Sequence, residues 1–199
     1  RKKVHIDKLL LARTLLNKKL EPKKIKISIN DFIIKAIAHA LYNNPKCNVT
    51  WGEDRIIKSS STDVALAVAI EDGLVTPVIK NIKNKTLSDL STETKLIIER
   101  AKNKRLKPEE MFGGTITISN LGMMGIDNFD AIINPPHGSI LAVGKTEEVV
   151  AFDDNENIVK KTIVHLNLSL DHRMIDGAIG AKFLNVMASF LQEPINLLA

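Results

Sequence analysis

Residues 161–188 carry two incompatible periodicities back to back. Val164, Leu166, Leu168 and Leu170 alternate with Ile163, His165, Asn167 and Ser169, the two-residue repeat of a half-buried strand. From Ala178 the apolar positions move to helical spacing through Ala181, Leu184 and Ala188. A strand over 161–170 must therefore hand over to a helix within residues 172–177. That short connection holds a histidine, a carboxylate and a glycine: His172, Asp176 and Gly177. A histidine held by backbone on both sides can project its ring into a cleft. Asp176 stands where it can fix the loop, and Gly177 permits backbone angles that other residues resist. The plainer reading makes them a surface histidine, a helix N-cap and a turn residue.

Composition narrows what such a connection can serve. The 199 residues suit one domain with a sizeable core, at 44% hydrophobic and 26% charged. A single cysteine, Cys47, excludes an internal disulfide, fits a reducing compartment and reads as a small buried residue. No apolar run approaches a membrane span and no signal-peptide core is visible, so a soluble intracellular protein is expected, with no membrane partner. The net charge of +5 favours an anionic ligand. Nucleic acid is a poor candidate, because aromatics are 4% and no basic stretch interleaves them.

Taken in order, residues 1–6 read as the tail of a strand. Asp7 can then cap a helix to Leu20 with an apolar stripe of Leu10, Leu11, Leu15 and Leu16. Ser28 or Asn30 caps a second helix whose Phe32, Ile33, Ala36, Ile37, Ala40 and Leu41 share a face, with His39 structural within it. Residues 49–51 form a short strand before a polar segment, 52–61. Residues 63–70 read as one strand buried on both faces, and 74–79 as its return, with Pro77 at an edge or bulge. Thr86 or Ser88 opens a third helix. Residues 115–119 form a strand ending in Ser119, and 123–136 a long loop of the kind more often functional than idle. Strands at 139–143 and 147–152 precede a turn through Asp153, Asp154 and Asn155 into the last strand. The expectation is an α/β domain with helices covering one face of a largely antiparallel or mixed sheet.

Six strings in this order resemble one family: SINDFIIKAIAHAL, EDGLVTPVI, GGTITISNLGMMGIDNF, AIINPP, ILAVG and LSLDHRMIDGAIGAKFL. They are similar to the catalytic core of the dihydrolipoamide acyltransferases of 2-oxo acid dehydrogenase complexes, from about Asp7 to the last helix. SNLGMMGIDNF followed by AIINPP is most similar to the pyruvate branch, which handles acetyl groups. The resemblance implies a fold shared with chloramphenicol acetyltransferase, a two-layer mixed sheet with helices on one side. It also implies homotrimers with active sites at the subunit interface, assembled into a hollow cubic or dodecahedral core. Coenzyme A and a lipoyl group on a separate lipoyl domain would be substrates, with no metal. Pyruvate decarboxylase and dihydrolipoamide dehydrogenase components would be partners through other domains, in bacterial cytoplasm or mitochondrial matrix. His172 would be the general base, Ser119 the hydroxyl supporting the tetrahedral intermediate, and Asp176 a partner keeping the histidine loop in place. On its own, Ser119 reads as a turn serine bonding its own backbone.

Three departures from the family pattern belong with the resemblance. The family's basic N-terminal arm, which reaches a neighbouring subunit, is expected to be missing along with the lipoyl and peripheral-subunit-binding domains, so residues 1–199 read as an N-terminally truncated catalytic domain. Asp176 is then left without an identified partner. His137 stands after Pro135-Pro136 where the family more often has glutamine, and reads as a surface or channel-lining substitution. Two other functions fit the same residues: a stand-alone coenzyme A acyltransferase acting on a small hydroxyl acceptor, and a scaffold subunit without catalysis, against which the presence of His172 argues.

Overall fold

The computed structural model describes residues 1–153 and 155–198. Its centre is a six-stranded mixed sheet. Strands β1 (Lys2–His5), β10 (Ile158–Leu170) and β9 (Ser139–Phe152) are antiparallel neighbours; β9, β8 (Ile116–Asn120) and β4 (Val64–Leu66) run parallel; and β7 (Val78–Ile79) closes the edge antiparallel to β4. Four helices, α1 (Asp7–Leu20), α2 (Ile29–Asn43), α3 (Leu87–Lys102) and α4 (Gly177–Gln192), pack against this sheet through a single core. The expected mixed sheet with a helical layer is what forms.

Helix α2 lies in the middle of that layer, which is why its apolar residues run nearly all round it. Phe32, Ile33, Ile34, Ala36, Ile37, Ala38, Ala40 and Leu41 are fully buried. Of the two candidate caps, Ser28 does the work: its hydroxyl accepts from the Asp31 N–H at 3.1 Å while the Asp31 carboxylate accepts from the Ser28 N–H at 2.7 Å. Lys35 is buried on the same helix and donates to the carbonyls of Ile82, Lys83 and Lys85 at 3.3, 2.8 and 2.5 Å. Burial, and then the charge of Lys83, lower its pKa.

Helix α1 departs from the sequence reading. Asp7 is its first residue rather than its cap, and its carboxylate accepts from the Thr162 N–H at 2.9 Å, tying the helix to β10. Leu9 is fully buried in the core and Leu10 and Leu16 of the expected stripe pack against it, while Leu11 and Leu15 are 62% and 61% exposed. Three consecutive leucines at 9–11 leave the helical phase open in sequence; docking on α4 decides it.

The strands also differ in detail. Residues 63–70 divide into β4 and β5 (Val68–Ile70), because at Ala67 the chain leaves the main sheet and β5 pairs with β6 (Gly73–Val75) instead. The return likewise breaks before Pro77, which has no N–H to offer a ladder, and β7 resumes as the edge strand expected of it. The polar segment 52–61 contains β3 (Ile56–Lys58), paired with β2 (Val49–Trp51). The two strands expected at 139–143 and 147–152 are one, β9. A bulge opposite Val164 and Leu166 absorbs the irregular stretch between them. Of the turn expected through Asp153, Asp154 and Asn155, Asp154 lies outside the described residues.

The two faces of β8 are unlike. Ile116 and Ile118 belong to the core under the helices, while Thr117 and Ser119 point to the other side. No helix covers that side; the segment 121–138 runs over part of it, held where the Asn167 amide donates to the Phe129 carbonyl at 2.7 Å and the Asp130 carboxylate at 3.0 Å.

Candidate functional site

Strand β10 ends at Leu170 and the chain reverses at once. The Asp171 N–H donates to the Gly138 carbonyl at 2.9 Å, and the Asp171 carbonyl accepts from Met174 and Ile175 N–H groups, both at 3.0 Å. His172 and Arg173 form the exposed tip of this turn, while Ile175, fully buried, plugs it into the core. Asp176 then caps α4, its carboxylate accepting from the Ile179 N–H at 2.9 Å. No hydrogen bond links Asp176 to His172, and the His172 ring has no hydrogen-bond partner among the described residues. Gly177 departs from expectation: its backbone is ordinary, and a Cβ there would meet nothing within 4 Å.

The close-approach glycine is Gly138. A Cβ on it would lie 2.7 Å from the Val49 carbonyl oxygen and 3.2 Å from Ile175 Cδ1, so only glycine lets β2 and the turn both reach this segment. Its N–H is shared between the Val49 and Thr115 carbonyls at 3.2 and 3.0 Å.

Ser119 is half-buried at the other end of the sheet. The register aligns Ser119 with Ala142 and Asn167, and Ile116 with Ser139 and Leu170. Ser119 is thus three residues along and two strands across from Leu170. At ~3.3 Å per residue and ~4.8 Å per strand that is about 14 Å, with His172 farther still. Within one chain the structure does not bring Ser119 and His172 together. A cavity of 570 Å³, bordered by Arg13, Asn30, Asn120 and Lys145, opens at the Ser119 end.

Several residues around the histidine turn carried no sequence signal. The Arg173 guanidinium lies 4.3 Å over the Trp51 ring and pairs with Asp171, Nη2 to Oδ2 at 2.6 Å. Hydrogen bonds from Arg173 hold the Asp171 carboxyl below its ordinary value. Trp51, Pro136, His137, Asp171 and Arg173 border a cavity of 270 Å³. His137 is not a surface residue: it is 6% exposed, its Nδ1 is 2.7 Å from the Thr117 hydroxyl and its Nε2 3.0 Å from the Gly113 carbonyl. Since a carbonyl can only accept, Nε2 carries the proton and Nδ1 accepts from Thr117. Burial lowers its pKa. A glutamine amide offers the same donor and acceptor, which explains how the two residue types can exchange here. Cys47 is buried as expected beneath the start of α4, its thiol pushed up to about 11 by burial and by the Asp176 charge.

Residues 1–199 match the family model of the 2-oxoacid dehydrogenases acyltransferase (catalytic domain). The chain belongs to this family. It is 48% identical over 98% of its length to the dihydrolipoyllysine-residue acetyltransferase component of the pyruvate dehydrogenase complex of Rickettsia conorii, and 44% identical over 97% to the mitochondrial component of Dictyostelium discoideum. It spans 47% and 30% of those proteins. Among solved structures, it superposes at a TM-score of 0.93 on the Azotobacter vinelandii dihydrolipoamide acetyltransferase and on the cubic core of a pyruvate dehydrogenase multienzyme complex. Each of these is 29% identical, with all of this chain and 82% of the other covered. Chloramphenicol acetyltransferase, at 16% identity and a TM-score of 0.57 over 96% of this chain and 86% of its own, shares the fold alone.

Proposed function

We propose that this acyltransferase domain moves an acetyl group between dihydrolipoamide and coenzyme A, with His172 as general base, Ser119 as donor to the reacting oxygen and Asp176 as the residue that holds the histidine turn. The observation that carries the reading is the near-complete match to pyruvate-complex acetyltransferases, together with an unpaired histidine presented at a strand-to-helix turn. Work on the Azotobacter protein concerns a serine, a histidine and an asparagine in its catalytic mechanism. That asparagine follows its histidine by four residues, as Asp176 follows His172. An aspartate and an asparagine are equally good helix caps.

The chemistry needs only a proton carrier and an oxygen donor. A thiol of pKa about 8.5 is mostly protonated at neutral pH. The neutral His172 imidazole takes its proton as the coenzyme A sulfur bonds to the thioester carbon, and the carbonyl oxygen becomes an alkoxide. The Ser119 hydroxyl donates to that oxygen, an interaction whose removal typically costs about 2.7–4 kcal/mol of barrier. Collapse breaks the carbon bond to the dihydrolipoyl sulfur, which receives the proton from His172.

The distance of about 14 Å from Ser119 to Leu170, the residue that ends β10 before the histidine turn, supports a site shared by two chains. Ser119 of one protomer and His172 of its neighbour form it, in a homotrimer that assembles further into a larger core and receives lipoyl domains from outside. A setting in bacterial cytoplasm or mitochondrial matrix is supported by relatives that are bacterial or, in Dictyostelium discoideum, mitochondrial. The test is complementation. His172→Ala lowers turnover by about 10² to 10⁴, and Ser119→Ala lowers it with little change in coenzyme A affinity. Co-assembled from equal amounts of the two variants, about one interface in four of a cyclic oligomer carries both native residues, and about a quarter of the wild-type activity returns. No recovery in proven mixed oligomers refutes the shared site; full activity in His172→Ala refutes the base.

A further inference from the structure

We infer that Trp51 is a positioning residue for the histidine turn, acting through the cationic face of Arg173. The inference rests on the reading of His172 as the base. The His172 ring has no hydrogen-bond partner among the described residues, so where it points depends on how firmly the turn is held. Both sequence neighbours of His172 are held. Asp171 is anchored through its N–H to the Gly138 carbonyl at 2.9 Å. Arg173 is bound to Asp171 by its own N–H at 3.0 Å, by Nε to both carboxylate oxygens at 3.0 and 3.2 Å, and by Nη2 at 2.6 Å.

Those bonds lie inside the turn and move with it. Among the described residues, the stack on Trp51 is the contact that ties the Arg173 side chain itself to a separate element, while Ile175 holds the base of the turn in the core. Trp51 belongs to β2, and its N–H donates to the Pro136 carbonyl at 2.8 Å, two residues before the Gly138 that anchors Asp171. The links therefore close a circuit: Asp171 to Gly138, through Pro136 to Trp51, across the ring face to Arg173, and back to Asp171. Open at Trp51, the tip between the Asp171 anchor and the buried Ile175 loses its tie to β2, and His172 gains room to shift by the small distances that matter in a reacting group. A guanidinium over an indole is attracted by the ring quadrupole, and an indole is the best such platform among the aromatic side chains. A displacement of about 1 Å in a reacting group can cost up to about 10²-fold in rate.

The test is a double-mutant cycle on the assembled protein, read as acetyl transfer from acetyl-CoA to dihydrolipoamide. Trp51→Ala and Arg173→Gln each lower kcat about tenfold while the KM for acetyl-CoA stays within about twofold. The double variant falls no further, since both changes open the same circuit. Trp51→Phe, which keeps a ring face, restores kcat to within about twofold of wild type. Trp51 is the single tryptophan of the chain, so Arg173→Gln also shifts the intrinsic emission. Losses that multiply in the double variant, a KM effect with kcat intact, or a Trp51→Phe as slow as Trp51→Ala each overturn the inference. Should Trp51→Ala fail to assemble, Arg173→Gln decides alone, because that side chain is 58% exposed and its removal leaves folding intact; an unchanged kcat and emission sinks the stack. His172→Ala run alongside separates the two failures: if it keeps full turnover the base reading fails, whereas its collapse beside a full-speed Arg173→Gln removes the positioning role only.

Discussion

Replacing His137 with glutamine should flatten the acid side of the stability profile. The His137 ring is buried and neutral, accepting from Thr117 at Nδ1 and donating to the Gly113 carbonyl at Nε2, and burial is the main cause of its lowered pKa. Its folded pKa lies below its unfolded one, so the unfolded chain takes up the proton first as pH falls. The stability is complete above the unfolded value of 6.5 and drains away below it. If the folded ring is still neutral at pH 5, the loss between pH 8 and pH 5 reaches about 2 kcal/mol, the linkage ceiling for an unfolded pKa of ~6.5. At an m-value of about 2 kcal/mol per molar, that is a shift of about 1 M in the urea midpoint. The assay is urea unfolding of wild type and His137→Gln at both pH values and one protein concentration. Glutamine reproduces both hydrogen bonds, so the two proteins should lie within about 1 kcal/mol at pH 8. They should then diverge at pH 5, with the variant the more stable. The wild type keeps a second share from His39, which burial and the charges of Lys35 and Lys83 shift the same way, so the variant's profile still slopes. Identical changes from pH 8 to pH 5 in both proteins refute the reasoning.

Asp176→Ala removes the α4 cap and should cost about 1 kcal/mol of stability together with activity, while Asp176→Asn keeps the cap and the stability; denaturant unfolding and turnover measured side by side check both. Gly138→Ala places a Cβ 2.7 Å from the Val49 carbonyl oxygen, and should cost about 1–3 kcal/mol and slow acetyl transfer, because relieving the clash shifts residue 138, whose own carbonyl anchors Asp171.

What was legible in the sequence was what is local. The period switch at residues 170–178 placed a strand, a turn and a helix where β10, the His172 turn and α4 stand. Capping chemistry left two candidates for each helix, Ser28 or Asn30 for α2 and Thr86 or Ser88 for α3, and the caps that form are Ser28 and Thr86, whose hydroxyls accept from the N–H three residues on. The misses share a different cause. The α1 leucines present two faces of similar apolarity, and only the position of α4 chooses between them. Residues 63–79 alternate smoothly enough to read as two strands; the break at Ala67 depends on β8, whose Ile118 carbonyl takes the Ala67 N–H at 2.9 Å and lies 51 positions away. Trp51 and Arg173 are more than twice as far apart in sequence, and nothing local to either predicts that one lies on the other.

The same distinction governs the site. The motif around His172 is a local fact, and a resemblance can assign it a role. Whether Ser119 can share that role is a matter of register. Had β8 paired with β9 two residues farther along, Ser119 would keep its face and lie level with Ile140 and Ser169, next to the end of the sheet where the turn begins. The observed pairing sets it with Ala142 and Asn167 instead, facing the side of the sheet that no helix covers. Under the proposed function, that register keeps Ser119 away from the histidine turn of its own chain and calls for a second chain. Met123 and Ile132, among the most exposed apolar residues of the chain, lie on the segment 121–138 that runs over part of that face. Covering that face with a neighbour would bury those side chains and supply what the register withholds, so assembly and catalysis would depend on the same surface.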